Sequence, residues 1–94
     1  MSDDEGRPLA LVTGASGGIG YELARQFAGH GFDLVVNAED AGIDDAAREL
    51  RELGTAVEAV RADLTGADGV ERLYARATAG GRPLEAVAIN AAWR

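Results

Sequence analysis

Apolar positions along this chain come in two rhythms that take turns. Short, nearly unbroken apolar runs predict buried strands, and three- to four-residue spacings predict one face of a helix. Leu9 to Thr13 (LALVT) is the first strand run. Ile19, Leu23 and Phe27 then recur at four-residue spacing, with Ala24 and Ala28 filling the same face, and Gly29, His30 and Gly31 stop the helix. His30 falls in its last turn, where the helix dipole tolerates a basic group. Phe32 to Ala38 (FDLVVNA) is the second strand. After the polar loop EDAGID, Asp44 or Asp45 caps a helix carrying Ala46, Ala47, Leu50 and Leu53, which ends at Gly54. Ala56 to Ala62 (AVEAVRA) is a third, weaker strand. Thr65 with Asp68 predicts a capping box for a helix striped by Val70, Leu73 and Ala77. Gly80, Gly81 and Pro83 break it, and Leu84 to Ala91 (LEAVAINA) is the fourth strand.

The resulting order, β-α-β-α-β-α-β with short loops, implies an α/β fold with a parallel sheet and right-handed crossovers. Strands one, two and four are nearly all apolar, which predicts burial on both faces. Residues 1–7 read as a flexible acidic tail and residues 8–94 as one domain, with no dividing linker.

Composition narrows the partners. Ninety-four residues at 47% hydrophobic content suit one small globular domain with a modest core. A net charge of −7 argues against nucleic acid and anionic membrane surfaces. No apolar run approaches the ~20 residues that span a bilayer, and the acidic start MSDDEGRP is unlike a secretory signal. The expected address is therefore cytoplasmic. Without cysteine there is no disulfide or thiolate chemistry. Every basic residue is arginine, so no mechanism that uses a lysine amine is available within these residues.

The stretch LVTGASGGIGYELA joins the first strand to the first helix. Gly14, Gly18 and Gly20, with Gly17 beside them, sit where a tight turn, a close phosphate and a close helix each call for a missing side chain. The N–H groups opening the helix then face the phosphates, and Thr13 and Ser16 have hydroxyls to add. The plain alternative is a βα turn with glycines for geometry alone. A lysine-dependent P-loop is excluded. Other chemistry is sparse. One histidine and two serines give no persuasive triad, and no metal-ligand spacing occurs. Asp3, Asp4 and Glu5 read as a solvated run.

With these residues in view, the chain resembles the N-terminal part of the short-chain dehydrogenase/reductase family. Thr13 to Gly20 (TGASGGIG) matches the family's T-G-x-x-x-G-x-G cofactor turn. Ala62 to Leu64 (ADL) matches the site near the adenine, and Ile89 to Ala92 (INAA) aligns with N-N-A-G. The resemblance implies a three-layer Rossmann-like sheet in strand order 3-2-1-4, incomplete relative to the family. It assigns cofactor binding to Thr13, Gly14, Ser16, Gly17, Gly18, Ile19, Gly20, Asp63, Leu64, Asn90 and Ala91. Read without the family, Asp63 is a polar residue at a strand end and Asn90 satisfies backbone groups there. Two departures stand out. Ala92 replaces the family glycine just before the chain ends, as expected of a truncated or frame-shifted reading frame. The family's Tyr-x-x-x-Lys segment is absent: Tyr21 is followed by Arg25 and Tyr74 by Thr78 at that spacing. No catalytic residue is therefore expected.

Glu39 falls near the ~20-residue spacing at which a dinucleotide fold presents an acid to the ribose 2′-OH. No arginine lies near it until Arg48, and Gly17 holds the position where phosphate-preferring relatives often carry a base. NAD is thus preferred over NADP, unless Glu39 and Asp40 are only loop solvators. The sequence points to the cofactor-binding part of an oxidoreductase that transfers hydride between a nicotinamide cofactor and an alcohol or carbonyl. The alternatives are a non-catalytic dinucleotide-binding or regulatory module and a non-functional gene fragment. An unprotected fourth strand predicts self-association.

Overall fold

Each strand run expected from the sequence forms, and all four lie parallel in one sheet. The computed structural model describes residues 7–90. Chain order is β1 (Leu9–Val12), α1 (Gly18–Gly29), β2 (Asp33–Ala38), α2 (Gly42–Arg51), β3 (Val57–Arg61), α3 (Ala67–Thr78) and β4 (Leu84–Ala88). The sheet order is β3-β2-β1-β4. Side chains alternate between the faces of a strand, so the sheet has a core on each side. Ala10, Val12, Leu34 and Val36 meet Ala24 and Ala28 of α1 and Ile43, Ala47 and Leu50 of α2. Leu9, Val35 and Val60 meet Leu73 and Ala77 of α3.

Being flanked by strands and covered on both faces, β2 is buried at all six positions. Its two polar residues are therefore forced to find partners. Asn37 Nδ2 donates to the carbonyls of Val60 and Ala62, each at 3.1 Å. Asp33 Oδ1 accepts from Thr55 Oγ1 at 3.0 Å and from the Ala56 N–H at 3.1 Å. Arg7 reaches Oδ1 at 3.4 Å, and Arg82 forms an ion pair with Oδ2 at 3.1 Å. Burial pushes the Asp33 carboxyl upward, but the Ala56 N–H, the Thr55 hydroxyl and Arg82 outweigh it and hold the group below the usual carboxylate range. Arg7 was expected in a solvated tail and is instead half-buried by this contact.

Packing corrects several local expectations. Helix α1 buries Gly20, Ala24 and Ala28, while Ile19 is 72% and Leu23 37% exposed. Its rotation is set at its start, where Gly20 presses on the Gly14 carbonyl, so small residues rather than large ones face the sheet. Neither Asp44 nor Asp45 caps α2. That helix begins at Gly42, and Asp40 Oδ1 accepts the Gly42 N–H at 2.9 Å. Asp44 and Asp45 fill the first turn, which the helix dipole favours. Leu53 lies past the helix end and is exposed. The Thr65–Asp68 capping box does not form, because Thr65 bonds back to Asp63 and Gly66 takes the N-cap of α3. Val70 is exposed, leaving Leu73 and Ala77 as the buried stripe. Strand β4 is an edge strand with alternating exposure, not one buried on both faces.

Candidate functional site

A parallel sheet places the carboxyl ends of its strands on one rim, and ligands bind where the strand order reverses. Here the reversal lies between β1 and β4. Along the rim come Asp63 and Leu64 after β3, Glu39 and Asp40 after β2, Thr13 to Gly20 after β1, and Asn90 after β4. The topology thus brings to one rim residues that the sequence scatters over the whole chain. Ala91, together with Ala92, Trp93 and Arg94, lies outside the described residues, as do Met1 to Gly6.

The glycine turn is held from both sides. Gly14 has φ +63°, and a Cβ there would lie 2.6 Å from the Asn90 carbonyl oxygen. A Cβ on Gly20 would overlap the Gly14 carbonyl. Gly17, by contrast, is extended at φ −172° and faces open space, so geometry does not demand glycine there. On the β4 side, the Asn90 N–H donates to Thr13 Oγ1 at 2.9 Å and Asn90 Nδ2 donates to the Gly14 carbonyl at 3.4 Å. On the β2 side, the Ala15 N–H donates to the Asn37 carbonyl at 2.9 Å. Ser16 Oγ donates to Asp40 Oδ2 at 3.1 Å. Ser16 has a single hydroxyl proton, so it cannot give that proton to a phosphate while Asp40 holds it.

The electrostatics single out one helix start. Helices α2 and α3 carry Asp44, Asp45 and Asp68 in their first turns. Helix α1 has no acid in its first turn and no side-chain cap on its first N–H groups. With neither, its positive end is suited to an anion. Ile19 stands exposed beside it.

The acids of the rim differ in how they are held. Asp63 Oδ1 accepts from the Thr65 N–H at 2.9 Å and from Thr65 Oγ1 at 2.7 Å. The Thr65 N–H, seconded by its hydroxyl, keeps the Asp63 carboxyl below the usual range. Glu39 is exposed, and its carbonyl accepts from Arg61 Nε at 3.2 Å. This corrects the expectation that no arginine stands near Glu39: parallel pairing sets Arg61 beside Ala38. Neither tyrosine shows a link to this rim. Tyr21 donates to Glu49 on α2 at 2.8 Å, a hydrogen bond that raises its pKa. Tyr74 is exposed on α3. Among the described residues no three potential metal ligands cluster. Sequence reasoning missed Asn37, Arg61 and the fixed position of Asp40. Asn37 alone carried a signal, an amide inside an apolar run.

A short chain dehydrogenase family model matches residues 8–94. The chain is 41% identical over 83 residues to cis-4-hydroxycyclohexanecarboxylate dehydrogenase of Sinomonas cyclohexanicum, covering 88% of this chain and 33% of that one. It is 34% identical over 76 residues to 3beta-hydroxysteroid dehydrogenase 1 of Eggerthella lenta, covering 79% and 29%. Among solved structures, L-sorbose reductase from Gluconobacter frateurii, complexed with NADPH and L-sorbose, superposes with a TM-score of 0.88 at 29% identity, over 93% of this chain and 34% of that chain. A short chain dehydrogenase/reductase from Burkholderia phymatum, in complex with NAD, gives 0.81 at 27% identity, over 86% and 29%. The chain spans about a third of the length of such relatives. No helix among the described residues is long and apolar enough to cross a membrane.

Proposed function

Since the chain belongs to the short chain dehydrogenase family, we propose that residues 8–94 hold the dinucleotide of an oxidoreductase acting on an alcohol or carbonyl. The observation that carries this reading is the start of α1, which is free of caps and acids and is reached through a turn that has no room for a Cβ at Gly14 and Gly20. That cradle fits a pyrophosphate by space and by charge. The bound nicotinamide supplies the hydride chemistry. The chain's own residues bind and orient: the N–H groups of Gly18, Ile19 and Gly20 receive phosphate oxygens, with Thr13, Gly14, Ser16 and Gly17 shaping the turn. Asp63 and Leu64 border the adenine end. Asn90 borders the nicotinamide end. None of the described residues is assigned a catalytic role.

NAD is the preferred cofactor in this reading, because Glu39 and Asp40 place negative charge at the end of β2, where a 2′-phosphate would sit. The chain self-associates through the open edge of β4, where Val87 and Ile89 are exposed, and resides in the cytoplasm. Isothermal calorimetry of the chain with NAD and with NADP tests the reading. NAD binding with weaker NADP binding is expected. Tighter NADP binding overturns the cofactor preference, and binding of neither overturns the dinucleotide reading.

A further inference from the structure

Two acids follow β2, and the structure treats them differently. The Glu39 carboxylate has no hydrogen-bond or ion-pair partner among the described residues; only its backbone carbonyl is anchored, by Arg61. The Asp40 carboxylate is fixed at both oxygens. Oδ2 accepts from Ser16 in the glycine turn at 3.1 Å, and Oδ1 accepts from the Gly42 N–H at 2.9 Å. It therefore bridges the loops that follow β1 and β2. In a dinucleotide fold this is the place of the adenosine ribose hydroxyls.

We propose that Asp40, rather than Glu39, determines cofactor choice, and that Ser16 is the positioning residue that makes it do so. The inference rests on the dinucleotide reading above. A carboxylate that recognises a ribose 2′-hydroxyl has to stand still, since a loose one turns away from a 2′-phosphate at little cost. Glu39, with a longer side chain and no tether on its carboxylate, yields in this way. Asp40 does not. Swinging it outward breaks the link to Ser16 and uncovers the first N–H of α2. The arrangement also explains why the Ser16 hydroxyl turns toward β2. Its proton orients the acid instead of a phosphate.

The test isolates the ribose corner with two probes, 5′-AMP and adenosine 2′,5′-bisphosphate, each titrated calorimetrically into the chain. Asp40→Asn removes the charge and keeps Oδ1 for the Gly42 N–H, while its Nδ2 donates to Ser16 Oγ in place of accepting from it. It is expected to improve the affinity for the bisphosphate relative to 5′-AMP by about tenfold, as for removal of a nearby charge in a solvated site. Glu39→Gln is expected to shift the ratio clearly less than Asp40→Asn does, because an untethered exposed charge is readily screened. Ser16→Ala releases Asp40 and is expected to shift the ratio part of the way, while Ser16→Thr, which keeps the hydroxyl, restores it. Circular dichroism confirms that each variant retains its helices. A ratio moved by Glu39→Gln and not by Asp40→Asn overturns the inference, as does an equal response to both. In either case the dinucleotide reading stands. Failure of the unsubstituted chain to bind either probe overturns the dinucleotide reading and this inference with it.

Discussion

Replacing Gly14 with alanine should damage the turn, while the same change at Gly17 should not. At Gly14 the backbone has φ +63°, and an added Cβ would lie 2.6 Å from the Asn90 carbonyl oxygen. The left-handed conformation costs an L-residue roughly 1–2 kcal/mol. The clash also displaces Asn90, whose N–H bonds Thr13 Oγ1 at 2.9 Å and whose Nδ2 bonds the Gly14 carbonyl at 3.4 Å. The first bond is worth about 1 kcal/mol and the longer second one less. Together these give a loss of about 2–4 kcal/mol, a large part of the stability of a domain of this size. Gly17 is extended and its surroundings are open, so Gly17→Ala should stay within about 0.5 kcal/mol. Urea unfolding followed by circular dichroism at 222 nm reads both values, and calorimetry with NAD reads binding in parallel. Equal losses for the two variants, or a Gly14→Ala chain as stable as the parent, would refute the account of the turn.

Three further outcomes are expected. The folded Asp33 carboxyl is held below its unfolded value of ~3.9, so its stabilisation is present above that pH and is lost as pH falls through the folded value. Asp33→Asn should therefore cost about 2 kcal/mol at pH 7, less than a fully buried pair because Arg7 and Arg82 are partly solvated, with the gap closing below about pH 4 in urea titrations. A gap that does not begin to narrow as pH falls below about 4 would contradict this. Val87→Lys places a charge on the exposed edge of β4 and should shift light-scattering mass toward the monomer; an unchanged mass would remove β4 as the contact. The 94-residue chain should oxidise NADH in the presence of ketones or aldehydes no faster than buffer does, since Tyr21 donates to Glu49 and Tyr74 lies on α3. Turnover abolished by the double change Tyr21→Phe, Tyr74→Phe would refute this.

Much of this fold was visible in the order of apolar runs and glycines, because a parallel sheet wrapped on both faces leaves a strong mark on its central strands. The glycine turn was visible for a similar reason, since absent side chains are seen directly in a sequence. The rotation of α1 was not. Ile19, Leu23 and Phe27 and the stripe Gly20, Ala24 and Ala28 compete for the same inward face, and the contact of Gly20 with Gly14 decides between them. The caps of α2 and α3 were misplaced because Asp40 and Thr65 found partners across loops, at Gly42 and Asp63. Arg61 and Glu39 illustrate the same limit. Their separation along the chain says nothing about strand pairing, which sets them side by side.

The hydrogen bond from Asn90 to Thr13 joins residues 77 positions apart. During synthesis at about 5–20 residues per second, Thr13 waits roughly 4 to 15 seconds before its partner exists. The first βαβ unit has all its own contacts well before then, yet its glycine turn is still missing the strand that props it. The turn after β1 is therefore completed later than the βαβ unit that carries it. Early folding of that unit is carried by its own apolar packing, of Ala10, Val12, Leu34 and Val36 against Ala24 and Ala28, and not by the turn.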